Sequence, residues 1–210
     1  MTDAGQKQRF LDFCLSMPME ADWAAEVGPD LPRIDIPWEG FVDLREVSSV
    51  VQVVKEAADH HALERALIMM NSEASPVFTA KCDVWSFSGF EIDHDEFGSL
   101  AEDAHCGLAS YIDVLQIDPD TLASFEFHER WVRGLTRHLR TLTLPNGRVE
   151  FIIRPASVDS YSGYGITLYA AGCGADAPAA YTAWRAVLGA AVAATMNLAP
   201  FLSTRAHTGE

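Results

Sequence analysis

The sequence predicts an α+β fold, in which an antiparallel sheet of four or more strands carries helices packed mainly on one face, preceded by a helical N-terminal arm. Three observations carry that prediction. The order strand, strand, helix occurs twice between Pro76 and Leu198. The strand segments alternate apolar and polar residues with period two. Each long helix opens on an aspartate with a proline one or two positions on, at Asp118-Pro119 and Asp176-Ala177-Pro178. There the carboxylate caps free amides and the missing proline N–H costs nothing.

Taken in order, residues 4–16 carry Leu11, Cys14 and Leu15 at helical spacing and predict a short amphipathic helix. Residues 28–40 hold Pro29, Pro32 and Pro37 and predict an extended connector rather than an element. The boundary therefore falls at residue 40, with 1–40 as arm and connector and 41–210 as a single α+β domain. Over 47–71, Val47, Val50, Val51, Val54 and Ala58 form a stripe that Leu63, Ala66, Leu67 and Met70 continue. This predicts one long helix or two abutting ones, with a break near Asp59-His60-His61 and an end near Asn71; the competing reading makes 65–70 a hairpin strand.

The first double-strand unit follows. Val77–Phe87 alternates, with Phe78, Ala80, Cys82 and Val84 on one side and Thr79, Lys81, Asp83 and Trp85 on the other. His105–Gln116 is its partner strand, and a helix runs from Pro119 to about Thr141 until the turn Pro145-Asn146-Gly147. The second unit comprises strands at 148–155 and 164–172 and a helix over 178–198, with Ser162-Gly-Tyr-Gly165 and Gly172-Cys-Gly174 read as turns bracketing the strand. The halves share an echo, Gly107 to Tyr111 against Gly165 to Tyr169, and a Trp-x-x-x-Leu in each helix. The proline-to-tryptophan distances disagree, which argues for similar patterning rather than duplication.

Composition narrows the function classes. The formal net charge is −15, from 15 Lys+Arg against 30 Asp+Glu. Such a field repels phosphate backbones and anionic headgroups, so neither a nucleic-acid nor a membrane-surface role is expected. No segment reads as a secretory signal, and the apolar run from Ala186 to Met196 is too short to cross a bilayer. Cys14, Cys82, Cys106 and Cys173 are scattered without a C-x-x-C pair. A cytoplasmic protein with reduced thiols is expected.

Two constellations carry the functional expectation. Alternation places Lys81, Asp83, Trp85, Tyr111, Asp113, Glu150, Arg154, Thr167 and Tyr169 on one sheet face, opposite Cys82, Leu108, Ile112, Phe151, Ile153, Ile166 and Leu168. With helices on the other side, that face is a floor for a small polar ligand or a partner protein. The plainer explanation is cross-strand charge pairing on a solvated surface. The alternative function is a small enzyme whose Asp83, Asp113, Tyr111 and Lys81 perform acid–base chemistry. The second constellation is Arg130, Arg133, Arg137 and Arg140 on one helical stripe, a ridge for an acidic partner, with Glu126 and Glu129 placed to pair with it.

Other features point less far. The stretch from Glu91 to Asp103 has six carboxylates and no Lys or Arg, but Phe97 occupies a ligand position of a calcium loop, so an acidic loop and no metal is expected. His60, His61, His94, His105, Cys106, Cys82 and His128 are the remaining conceivable ligands or catalysts; Cys82 and Cys106 read as core thiols. Ala183, Ala186, Ala190, Ala193 and Asn197 form a small-residue back on helix 178–198, against which a second copy could pack as a homodimer. No nucleophile elbow, Walker loop, dinucleotide glycine motif or H-E-x-x-H is present, and no cofactor is expected. The functional expectation is a non-catalytic binding protein for an acidic or mixed-charge partner.

Overall fold

The structure is a computed structural model that describes residues 19–46, 48–93, 97, 103–144 and 146–206. The helix expected over residues 4–16 lies outside them. The strands are β1 (Glu20–Ala25), β2 (Ile34–Ile36), β3 (Val77–Ser88), β4 (Cys106–Gln116), β5 (Gly147–Val158) and β6 (Tyr161–Gly174). The α-helices are α1 (Lys55–Ala58), α2 (His61–Met70), α3 (Pro119–Ala123), α4 (Phe125–Leu139) and α5 (Ala177–Ala206).

All six strands form one sheet, in the order β1-β5-β6-β4-β3, with β2 also pairing β5. The four strands of the two hairpin units pair antiparallel. The expected α+β architecture with a mostly antiparallel sheet is therefore present, with α2, α4 and α5 on one face, and it is extended by two parallel strands, β1 and β2, which add to one edge of β5. Both come from before residue 40, so the sheet draws on both sides of that boundary, and the proline-rich connector contains a strand. Its backbone is extended as three prolines require, and Ile34 and Ile36 are buried by it.

The segment 48–71 is helical with the expected break: a 3₁₀ turn over Ser48–Val53 leads to α1, which ends at Asp59, and α2 starts after His60. Asn71 closes α2 by donating Nδ2–H to Leu67 O at 2.8 Å and to Thr79 Oγ1 at 2.7 Å, while its Oδ1 accepts from Thr79 N at 3.0 Å. The two bonds to Thr79 fasten the helix end to β3. The single helix expected from Pro119 is two: Asp118 caps α3 through Thr121 N, and Ser124 starts α4 by accepting from Phe127 N at 3.1 Å.

One layer of core lies between the sheet and α2, α4 and α5. Trp131, Leu135 and Leu139 of α4 and Trp184, Leu188 and Val192 of α5 are buried there against Phe151, Ile153, Ile166, Leu168 and Ile112. Trp184 donates Nε1–H to Ser110 Oγ on β4 at 2.9 Å, so its one polar atom is satisfied. At Gly172, a Cβ would overlap the Trp184 backbone nitrogen. The absent side chain lets α5 lie directly on β6. The glycines read as turns around 162–174 are instead inside this one long strand, and the true turn is at Asp159-Ser160, where Asp159 has φ of 51°.

The register of β3 departs from simple alternation. Thr79 pairs Val114 but Cys82 pairs Ile112, so one extra residue is inserted between them. The bulge splits the side expected to hold Phe78, Ala80, Cys82 and Val84. Phe78 and Ala80 join a second cluster with Ile34, Ile36, Leu115, Leu122 and Ala156 on the sheet's other face, while Thr79 turns to Asn71 beneath the helices. Downstream of the bulge the expected faces hold. The two tyrosines of the sequence echo, Tyr111 and Tyr169, are direct partners across β4 and β6.

Candidate functional site on the open sheet face

The face away from the long helices is organised in rows across the strands. One row reads Asp22, Glu150, Tyr169, Tyr111, Asp83 from β1 to β3. Its neighbour on one side reads Glu20, Arg148, Ala171, Ala109, Trp85, and on the other Ala24, Ile152, Thr167 and Asp113. Asp83, Trp85, Tyr111, Asp113, Glu150, Thr167 and Tyr169 therefore share one face, as alternation requires. Arg154 follows Ile152 on it, and Lys81 stands at the bulge.

Two clusters close the ends of this face. At one end β2 and α3 cover Phe78 and Leu115. At the other, Ile92, Phe97 and Ala104 pack on Cys173, with Phe87 and Ala171 alongside. Gly107 makes the second cluster close-fitting, since a Cβ there would run into the Phe87 ring. Phe87 thus lies flat over β4, 6.1 Å from Phe97. Between the clusters Trp85, Tyr111 and Tyr169 form an aromatic run, with centroid separations of 6.4 and 5.9 Å.

The polar groups on the face are held separately. Asp113 is buried and its carboxylate accepts from Thr167 Oγ1 at 2.6 Å. Burial raises its carboxyl above the usual range, against the lowering effects of the Thr167 bond, Arg154 and Lys81. Arg154 is paired with Glu26 at 3.0 Å, and Asp83 accepts from the neighbouring Val84 N–H at 2.8 Å. The Lys81 ammonium stands over the Trp38 ring at 5.5 Å. Burial, then the charges of Asp113 and Asp83, push the Tyr111 phenol up to about 12. No hydrogen bond among the described residues joins any two of Lys81, Asp83, Tyr111 and Asp113.

Two cavities open here. One of about 560 Å³ wraps the outer edge of β3, between Trp38–Leu44 and Val53–Glu56, and reaches Lys81, Asp83 and Tyr111. The other, of about 210 Å³, is bounded by Trp85, Phe87, Phe97, Arg148, Glu150 and Tyr169. Trp38 was not among the residues expected at the site, and nothing local in the connector marks it. Arg148 was not among them either, although it stands two residues from Glu150 on the same strand and so shares its face.

The arginine stripe is on the outer surface of α4, and two of its members are engaged within the chain. Arg133 pairs with Glu129 at 2.8 Å and covers the Trp23 ring at 4.8 Å. Arg140 donates to Ala21 O on β1 at 2.8 Å and pairs with Asp22 at 2.6 Å, so it covers part of the sheet edge. Arg130 and Arg137 are exposed.

Among the described residues, no hydrogen bond joins a histidine to a cysteine. His128 is buried beside Phe127, Trp131 and Tyr164. Cys82 is on the helix side of β3, where burial, with smaller effects from Glu56, Asp83 and Asp113, pushes its thiol up to about 12. Among the described residues no group of three or more His, Cys, Asp or Glu is placed to hold a metal ion. No described helix is long and apolar enough to cross a membrane. The alanine back of α5 is exposed at Ala186 and Ala193 and half-buried at Ala183 and Ala190.

No family model, curated protein or solved structure matches the chain.

Proposed function

We propose that the chain is a non-catalytic binding protein that receives a mixed-charge partner on the open sheet face, between the two end clusters. The observation that carries this is the aromatic run Trp85, Tyr111, Tyr169 with charged groups on either side. Half-exposed rings presented on rigid strands give contact area at little entropic cost, and aromatic residues are enriched at the centres of interfaces. Both signs of charge border the run, with Arg148 and Lys81 against Asp83 and Glu150, which favours a mixed-charge partner over a purely acidic one.

The enzyme alternative has less support. Acid–base work needs groups within hydrogen-bond reach of one reacting atom and protonation near the working pH. Asp113 is spent on Thr167, Asp83 on its own strand, and a phenol at about 12 stays protonated.

Affinity capture with the full chain tests the proposal. The double variant Trp85→Ala, Tyr169→Ala should lose a partner that wild type retains, with that partner protecting amides of β3, β4 and β6 from exchange. An unchanged capture profile from a folded double variant refutes it. The variant Arg130→Glu, Arg137→Glu reports whether the α4 ridge contributes.

A further inference from the structure

The central strands put bulky or polar side chains on the open face in two successive rows, Tyr111 with Tyr169 and Asp113 with Thr167. In the adjoining row both residues are alanine: Ala109 of β4 faces Ala171 of β6. Trp85 stands beyond Ala109 and Arg148 beyond Ala171. The missing bulk leaves the cavity of about 210 Å³, floored by the alanines and walled by Trp85, Phe87, Phe97 and Tyr169, with Glu91 also on its lining. Phe87 is fixed there by Gly107 and by Phe97, so this wall is set by packing within the chain.

We propose that this cavity is an anchor site for one aromatic side chain of a protein partner docked on the sheet face; this rests on the binding reading above. Size argues for a single side chain. Sites for whole small molecules run to about 300–1,000 Å³, and this cavity is smaller than that range. Chemistry argues for an aromatic one, because ring walls reward offset or edge-to-face partners beyond simple area burial. Arg148 and Glu150 at one end give the anchor's neighbouring residues a polar rim. A second copy of this chain is disfavoured as the occupant by the formal net charge of −15.

Saturation-transfer NMR on the full chain tests this with N-acetyl-phenylalaninamide, N-acetyl-leucinamide and N-acetyl-glycinamide as probes. The phenylalanine probe should bind with a Kd of about 1–10 mM, the leucine probe more weakly, and the glycine probe without detectable transfer. Ala171→Leu fills the floor and should reduce transfer to the phenylalanine probe at least tenfold. Trp85→Ala removes a half-exposed wall without touching the core, and should weaken it several-fold even if Ala171→Leu does not fold. Phe90→Ser, at an exposed ring outside the cavity, should change nothing. Equal transfer to all three probes, or undiminished transfer in folded Ala171→Leu and Trp85→Ala, overturns the anchor. If the probes fail while the face variants still lose their captured partner, the anchor falls and the face reading stands; if both fail, both fall.

Discussion

His128 gives the sharpest test of the core. Its ring is fully buried, Nδ1–H donates to Ser124 O at 2.8 Å, and Nε2 has no partner among the described residues. A carbonyl only accepts, so the neutral Nδ1–H tautomer satisfies one nitrogen and leaves the other against apolar rings. Desolvation pulls the imidazole down from 6.5 to about 4, and the Ser124 bond opposes this only in part. The unfolded chain therefore takes up a proton before the folded chain does, and stability is lost as pH falls from about 6.5 towards 4. Between pH 7.5 and 4.5 the loss assignable to this group is about 2.5 kcal/mol. Because thirty carboxyl groups titrate in the same region, the readout must be a difference. Urea unfolding of wild type and His128→Phe across that pH range, followed by circular dichroism, supplies it. The variant is expected to lose less stability than wild type by that amount. Parallel pH dependences would refute a buried neutral His128.

Three further outcomes follow from the packing and burial of single residues. Gly172→Ala forces a methyl against the α5 backbone at Trp184 and should cost about 1–3 kcal/mol in urea unfolding; a change under about 0.5 kcal/mol would mean that α5 does not lie on β6 as described. Asp113→Asn keeps an acceptor for Thr167 and removes a carboxylate that burial disfavours. The wild-type carboxyl is raised, so its native state sheds stability as pH climbs from 3.8 through the folded value; the variant's advantage should grow over that window and then level off, and a flat difference between pH 3.5 and 7 would contradict it. Cys82 should resist alkylation: with a thiol at about 12, roughly one molecule in ten thousand is thiolate at pH 8. Labelling of its peptide by iodoacetamide should be at least a hundredfold slower in folded than in unfolded protein, and comparable rates would place the thiol elsewhere.

Much of the candidate face was legible in the sequence because the chemistry that buries one side of a strand also writes period-two alternation into it. Glu150, Phe151, Ile153 and Tyr169 could be sorted from residue types alone. The parallel strands were not legible. Glu20–Ala25 is short and alanine-rich, and what makes it a strand is β5, more than a hundred residues later in the chain. Its pairing is settled by tertiary contact rather than propensity. The break at Ser124 was also missed, since Leu122 and Phe125 keep an i, i+3 spacing across it and the cap is a single hydroxyl.

The bulge in β3 ties the fold to the site. In Phe78-Thr-Ala-Lys-Cys-Asp-Val-Trp85 the polar and apolar residues alternate without glycine or proline, so nothing in the sequence marks an inserted residue. Yet the insertion sends Thr79 to the helix cap at Asn71 and Phe78 to the cluster beneath β2, while Asp83 and Trp85 stay beside Tyr111. An unbroken strand would have to give up one of these two sets, because Thr79 and Asp83 would share a face. Its cost is a locally disrupted ladder on an edge strand, where Trp38 donates Nε1–H to Ala80 O at 3.2 Å. The same bulge and the exposed Lys81 oppose pairing with a foreign strand at that point. Recognition at β3 is thereby directed away from its backbone edge and towards the side chains on its face.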